Sequence, residues 1–249
     1  MRAYIFSTRT AKEILRDPIN LLFGLAFPLV LLFLFAMINK AIPAEANNTM
    51  YAPEQMAPGV AVFGTVFMAL FAGVLLAKDR TSSFLMRLFT SPMRSPDFIL
   101  GYTIPMVVFA MAQSLITFIM SIFIGLPFTV NTLVAILVIM PVSLLFIGIG
   151  LLCGSLLNDK AVSGICGALL TNVAGWLSGV WIPIELIGGG FEAVCHVLPF
   201  YHAAEMAQLA VAGEYTELLP HLAIVLAYAI VIYSIAVVVF RHKMSGDKA

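Results

Sequence analysis

Gln113, Ser114, Thr117 and Ser121 stand at i, i+1, i+4 and i+8 of a run that is otherwise apolar. That spacing puts four hydrogen-bonding side chains on one helical stripe. Asn172 and Trp176 form a second pair, at i and i+4 of a later apolar run. Such groups either bond between helices or touch a passing substrate; Gln113, Thr117, Asn172 and Trp176 are the candidates for a substrate path. No Asp, Glu, Lys, Arg or His falls near the middle of an apolar run. Ion-coupled carriers and proton pumps need such a charge, because an ion must bind or move at mid-membrane. An intramembrane hydrolase needs paired catalytic groups, which the runs also lack. There is no G-x-x-x-x-G-K-[ST] loop to cradle nucleotide phosphate, and no Gly is followed by Lys. Cys153, Cys166 and Cys195 are too few and too unevenly spaced for a disulfide framework or a zinc site. His196, His202 and Cys195 invite a metal reading, but their spacing does not give three ligands in close geometry. No catalytic residue, no metal and no nucleotide bound by this chain are therefore expected.

The elements that hold these side chains are long apolar helices. The chain of 249 residues is 61% hydrophobic and 10% charged, with a mean hydropathy of +1.04. Soluble domains carry about 25% charged residues, so this chain reads as an integral membrane protein. A helix needs about 20 apolar residues to cross the hydrocarbon. Six runs qualify: 19–39, 57–77, 99–125, 133–157, 161–182 and 218–240. "AEA" at 44–46 resembles a signal-cleavage site, but the apolar run before it exceeds a signal core of roughly 7–15 residues, so 19–39 reads as a span. Pro28, Pro105, Pro127 and Pro141 fall in or at the ends of these runs, where proline can kink a helix. The expected fold is all-α, in a single transmembrane domain over 1–249.

Twelve of the 13 Lys and Arg residues then fall on one side of the membrane, and only Lys40 on the other. The positive-inside rule makes the basic side, with both termini, cytoplasmic. The opposite side carries Glu185, Glu192, Glu205, Glu214 and Glu217 within 183–217, and no Lys or Arg there.

Two cytoplasmic stretches are amphipathic. In 1–17, Arg2, Arg9, Lys12 and Arg16 share one arc of a helix, opposite Tyr4, Ala11, Ile14 and Leu15. A helix of this kind lies in the membrane interface with its basic residues toward headgroup phosphates, and Asp17-Pro18 ends it. In 84–91, Phe84, Leu85, Leu88 and Phe89 form one face, and Arg87, Thr90 and Ser91 the other; Pro92 and Pro96 close it. A helix of about two turns is marginal in water, so its apolar face needs a partner. The bundle, the lipid interface and another protein are equal candidates on this ground. Residues 183–217 are broken by Gly188–Gly190, Pro183, Pro199 and Gly213. They read as two short outer helices, one on each side of the glycines, dipping into the bilayer; a loop lying on its surface is the alternative.

The segment "DRTSSFLMRLFTSPMRSPDFILGY" (79–102) resembles the cytoplasmic segment of type-2 ABC exporter permeases. The matching residues are Asp79, Arg80, Leu85, Arg87, Leu88, Ser91, Pro92, Ile99, Leu100 and Gly101. "LSGVWIPIELIGGGFEAVCHVLPFYHAAEMAQ" (177–208) is similar to the family's segment after span five. The resemblance implies that Phe84–Ser91, followed by Pro92, is a coupling helix docking on a separate ATPase subunit. Its docking face would comprise Phe84, Leu85, Arg87, Leu88, Phe89 and Ser91. Ser83, Phe84 and Met86 replace the family's usual Gly-Thr and Glu. The outer segment, with Pro183, Glu185 and Gly189, would be the outer gate. ATP and Mg²⁺ would sit on the partner ATPase. A second permease copy or homologue and membrane lipids complete the expected partners, with no nucleic acid. The implied role is export of an amphiphile, drug-like or lipid-like, across a prokaryotic-type inner membrane. The alternatives are an ATP-independent carrier or channel and a structural scaffold.

Overall fold

The computed structural model describes residues 2–43, 50–82 and 94–246, all helices and connections with no strand among them. The stretch expected to be a coupling helix, with Phe84, Leu85, Arg87, Leu88, Phe89, Ser91 and Pro92, lies outside the described residues, as does 44–46. Helix α1 (Arg2–Leu15) leads through α2 (Pro18–Leu21) and a π turn (Leu22–Ala26) into α3 (Phe27–Ala41). The π turn has a local cause. Pro28 has no N–H for the carbonyl of Gly24, so the helix widens just before it. Next come α4 (Pro53–Thr81), α5 (Ser95–Ile124) and α6 (Val130–Leu156). Pro58, Pro105 and Pro141 lie inside these three helices without ending them. Pro127 falls between α5 and α6.

Among the described residues, five helical stretches are long and apolar enough to cross a membrane: Leu22–Ala41, Pro53–Thr81, Ser95–Ile124, Val130–Leu156 and Tyr215–Lys243. The apolar run at 161–182 is not among them. It is a composite of α7 (Asp159–Val162), a π segment (Ser163–Leu170) and α8 (Thr171–Leu177), with bends from Ser178 onward. Thr171 Oγ1 donates to the carbonyl of Cys166, five residues back, at 3.1 Å, which suits the wider turn.

Helix α4 is the axis of the bundle: 83% of its apolar window is buried, against 17% for the last helix. It packs most closely on α6, where backbones meet without side chains between them. A side chain at Gly150 would run into the backbone of Ala69, and one at Gly154 into that of Gly73. Small residues of this kind let membrane helices approach closely.

The segment 183–217 forms three helices rather than two: α9 (Ile184–Ile187), α10 (Gly189–Val197) and α11 (Pro199–Ala212), before α12 (Tyr215–Gly246). Gly188 and Gly189, at φ +65° and +60°, make the break between α9 and α10, a backbone that L side chains rarely adopt. Helix α11 packs against α4, α6 and α12 and buries His202, Ala203, Met206 and Ala210. It is part of the bundle's end.

Candidate functional site

The basic end of the bundle is held by Asp79, one turn before α4 stops. Its carboxylate is 5% exposed. Arg9 donates to both of its oxygens, through Nη1 to Oδ2 and through Nη2 to Oδ1 at 2.8 Å. The Tyr102 hydroxyl donates to Oδ2 at 2.7 Å. Arg9 also meets Glu13 Oε2 at 2.6 Å. Burial, followed by the nearby Asp79 charge, holds the Glu13 carboxyl above its ordinary range, with Arg9 and Lys78 opposing. Beside the clasp, the Phe6 ring stands edge-on to Tyr102 at 5.0 Å and to Phe98 at 5.5 Å. It fits because residue 101 is glycine; a Cβ there would strike the ring.

This arrangement adds a protein contact to the basic arc expected on α1. Arg2 opens the helix, and Lys12 and Arg16 are exposed on it. Arg9, with its side chain 34% exposed, reaches the buried carboxylate of Asp79 from the edge of this arc. Phe6 and Ile14 are buried against the bundle, while Tyr4 (71%) and Leu15 (66%) stay exposed. Helix α1 therefore has a protein face, an apolar outer face and a basic face.

The next residue makes a second tie. Arg80 donates to the carbonyls of Ser155 and of Leu157, the latter at 2.8 Å. These belong to the last turn of α6, where carbonyls lack intrahelical donors and cations are favoured. Through two consecutive residues the end of α4 is thus joined to α1, α5 and α6. Those residues directly precede the 84–91 stretch.

The candidate path residues fall into two places. Gln113, Ser114, Thr117 and Ser121 are all buried on α5, and the Gln113 amide lies against Gly64 of α4. Gln113 Nε2 donates to Thr117 Oγ1 at 3.1 Å, and Ser121 Oγ to the carbonyl of Thr117 at 2.8 Å. Gln113 Oε1 and Ser114 Oγ have no partner. Within this chain the stripe is a seam between two helices. Asn172 and Trp176 lie elsewhere, on the exposed side of the 159–177 segment with Ile165 and Leu169. The Asn172 amide donates to the carbonyl of Ala168 at 2.8 Å, and Trp176 is 53% exposed.

At the opposite, acidic end, Pro183 and Glu185 line a cavity of about 420 Å³ with Tyr201, Glu205, Gln55 and Gln208. Burial, then the neighbouring Glu185 charge, keeps the Glu205 carboxyl above its ordinary range. Burial, then Glu205, pushes the Tyr201 phenol up to about 12. Gly189 is not in this lining; it sets the start of α10. Among the described residues no three His, Cys, Asp or Glu gather in a metal-binding arrangement.

Asp79 and Tyr102 escaped the functional reading of the sequence. The one signal was a carboxylate at the end of an apolar run, beside an Arg, which the family resemblance already contained. Its pairing with Arg9, 70 residues away in the chain, leaves no local pattern.

No curated protein matches the chain. The sequence profile of the ABC-2 type transporters matches residues 2–211, a stretch that takes in the α1 clasp, the α4–α6 seam and most of the acidic end. With that match laid over a multi-helix bundle of apolar, membrane-length helices, the chain belongs to the ABC-2 type transporter family.

Proposed function

We propose that this chain is the permease half of an ATP-driven exporter that moves an amphiphilic, drug-like or lipid-like molecule outward. In this reading 161–182 completes a set of six spans, and the basic end with both termini faces the cytoplasm of a prokaryotic-type cell. Residues 84–91 form the coupling helix, which seats in an ATPase subunit carrying ATP and Mg²⁺. Two such permeases, identical or homologous, pair in the membrane. The exposed stripe of Asn172 and Trp176 is turned toward that interface and the substrate. A lipid-exposed Asn is costly, which favours a covered stripe. The outer helices, with Pro183, Glu185 and Gly189, close the exit.

One observation carries this reading most: the two-residue tie at Asp79 and Arg80. A displacement of 84–91 enters α4 at its end, and that end is fixed to three other helices. A short push on the coupling segment therefore moves a rigid group rather than a loop. The test is copurification with the ATPase and assay of substrate-stimulated hydrolysis. The ATPase should copurify with the chain and be lost when Arg87 and Leu88 are both changed to Glu. Transport that persists with no ATPase bound supports an ATP-independent carrier instead.

A further inference from the structure

Three histidines meet where α10, α11 and α12 join at the acidic end. His202, 6% exposed, uses both ring nitrogens. Its Nε2 lies 2.8 Å from the carbonyl of His196, and its Nδ1 lies 2.8 Å from Nδ1 of His221 on α12. A carbonyl only accepts, so His202 carries its proton on Nε2. In neutral His202, Nδ1 is then an acceptor, and His221 must donate from its own Nδ1. This fixes the tautomer of both rings. A first added proton goes to Nε2 of His221 and leaves the Nδ1–H···Nδ1 bond intact, now charge-assisted. A second proton can only enter at Nδ1 of His202. There it sets one N–H against another and places two cations with ring centres 4.9 Å apart.

We infer that the His202–His221 contact is a proton-binding joint: it holds α11 to α12 with no added proton or with one, and it opens when a second arrives. The first charge opposes the second across the contact, so the two protons do not bind independently. Burial, then the neighbouring His202 and His196, hold the His221 imidazole below its ordinary range, with Glu217 opposing. Helix α10 supplies Glu192, already 3.7 Å from His196. Helix α11 supplies Tyr201, whose ring lies 5.5 Å from His202 and 6.0 Å from His221, and Glu205 further along. Helix α12 supplies Glu217, one turn before His221, and α9 supplies Glu185. Helix α4 has Glu54 at this end, while α6 and α8 have no charged residue. What the joint releases is α10 and α11, the helices between the acidic cavity and the last span. Acid on that side would free them from α12. The inference does not depend on the ATPase or on the substrate.

Hydrogen exchange of the full-length chain in lipid nanodiscs tests it, at about pH 7.5 and about pH 5, either side of the ordinary histidine range, with the intrinsic rates corrected. Amides of 196–212 should open about threefold more at the lower pH, because a one-unit difference in proton affinity between open and closed joints reaches its full tenfold only in stronger acid. His221→Asn should abolish the response, because an amide at the Nδ1 position can donate or accept and takes no charge. His196→Gln should leave it intact, since only the backbone carbonyl of His196 is used. The inference is overturned by an unchanged wild type, by an H221N response equal to wild type, or by a response lost in H196Q.

Discussion

Asp79 takes hydrogen bonds from both Arg9 and Tyr102, and its substitution separates packing from charge. Losing one partner of a buried pair costs about 3 kcal/mol, mostly because the other charge stays buried. Arg9→Ala should therefore lower the midpoint of thermal unfolding more than Arg9→Ala combined with Asp79→Asn, which leaves no orphan charge. A strictly additive double mutant would contradict the clasp. Tyr102→Phe removes a single hydrogen bond to a carboxylate and should cost about 1.5 kcal/mol. The two groups of candidate path residues separate in the same way. Gln113→Met removes an acceptor with no partner among the described residues together with the Nε2 bond to Thr117, so the two effects offset and stability should change by less than about 1 kcal/mol. Substrate affinity should also hold, because the residue is closed off inside the chain. Trp176→Ala should weaken substrate-stimulated ATPase affinity about tenfold, a loss of ~1.4 kcal/mol. If Gln113→Met shifts that affinity and Trp176→Ala does not, the path runs through the seam instead.

For whole helices, the seam between α4 and α6 is the most sensitive contact. Gly150→Leu inserts a side chain where backbone already touches backbone and should destabilise by about 3 kcal/mol. Gly101→Leu should eject Phe6 and expose α1 to protease while the remaining helices stay protected; equal protection of α1 in variant and wild type would contradict its docked position. Hydrophobic periodicity foretells most of these elements, because a run of apolar residues long enough to span can only be buried or lipid-facing. It foretells α1 as amphipathic, yet it cannot say what each face meets. The basic arc of Arg9, Lys12 and Arg16 looks uniform in sequence, but Arg9 alone lies where Asp79 can reach it. The run at 161–182 shows the same limit. Its composition suits a span, while its π turns and its end at Leu177 depend on local bonds, such as that from the Thr171 hydroxyl to the Cys166 carbonyl, that apolarity does not encode. The outer segment was legible as broken helices from its glycines and prolines; the burial of α11 among α4, α6 and α12 is a tertiary fact.

At the scale of the molecule, the bundle has a tied basic end and a jointed acidic end. Asp79 and Arg80 join four helices beside the 84–91 stretch, whereas the acidic end holds short helices around a polar cavity and a histidine contact. Movement put in at the tied end would travel as rigid helices and be expressed where the helices are short. The family was legible in the ordered pair of motifs at 79–102 and 177–208, since both segments keep their spacing relative to the spans. The clasp itself was not, because a contact across 70 residues has no sequence period. The most direct measurement of the central claim is ATP hydrolysis in proteoliposomes, comparing the chain alone, the ATPase alone and the copurified complex, each with a panel of hydrophobic compounds. The account predicts no hydrolysis by the chain alone, stimulation by an amphiphile only in the complex, and loss of that stimulation when Arg87 and Leu88 become Glu. Robust hydrolysis by the isolated chain, or export of the amphiphile with no ATPase present, would contradict it.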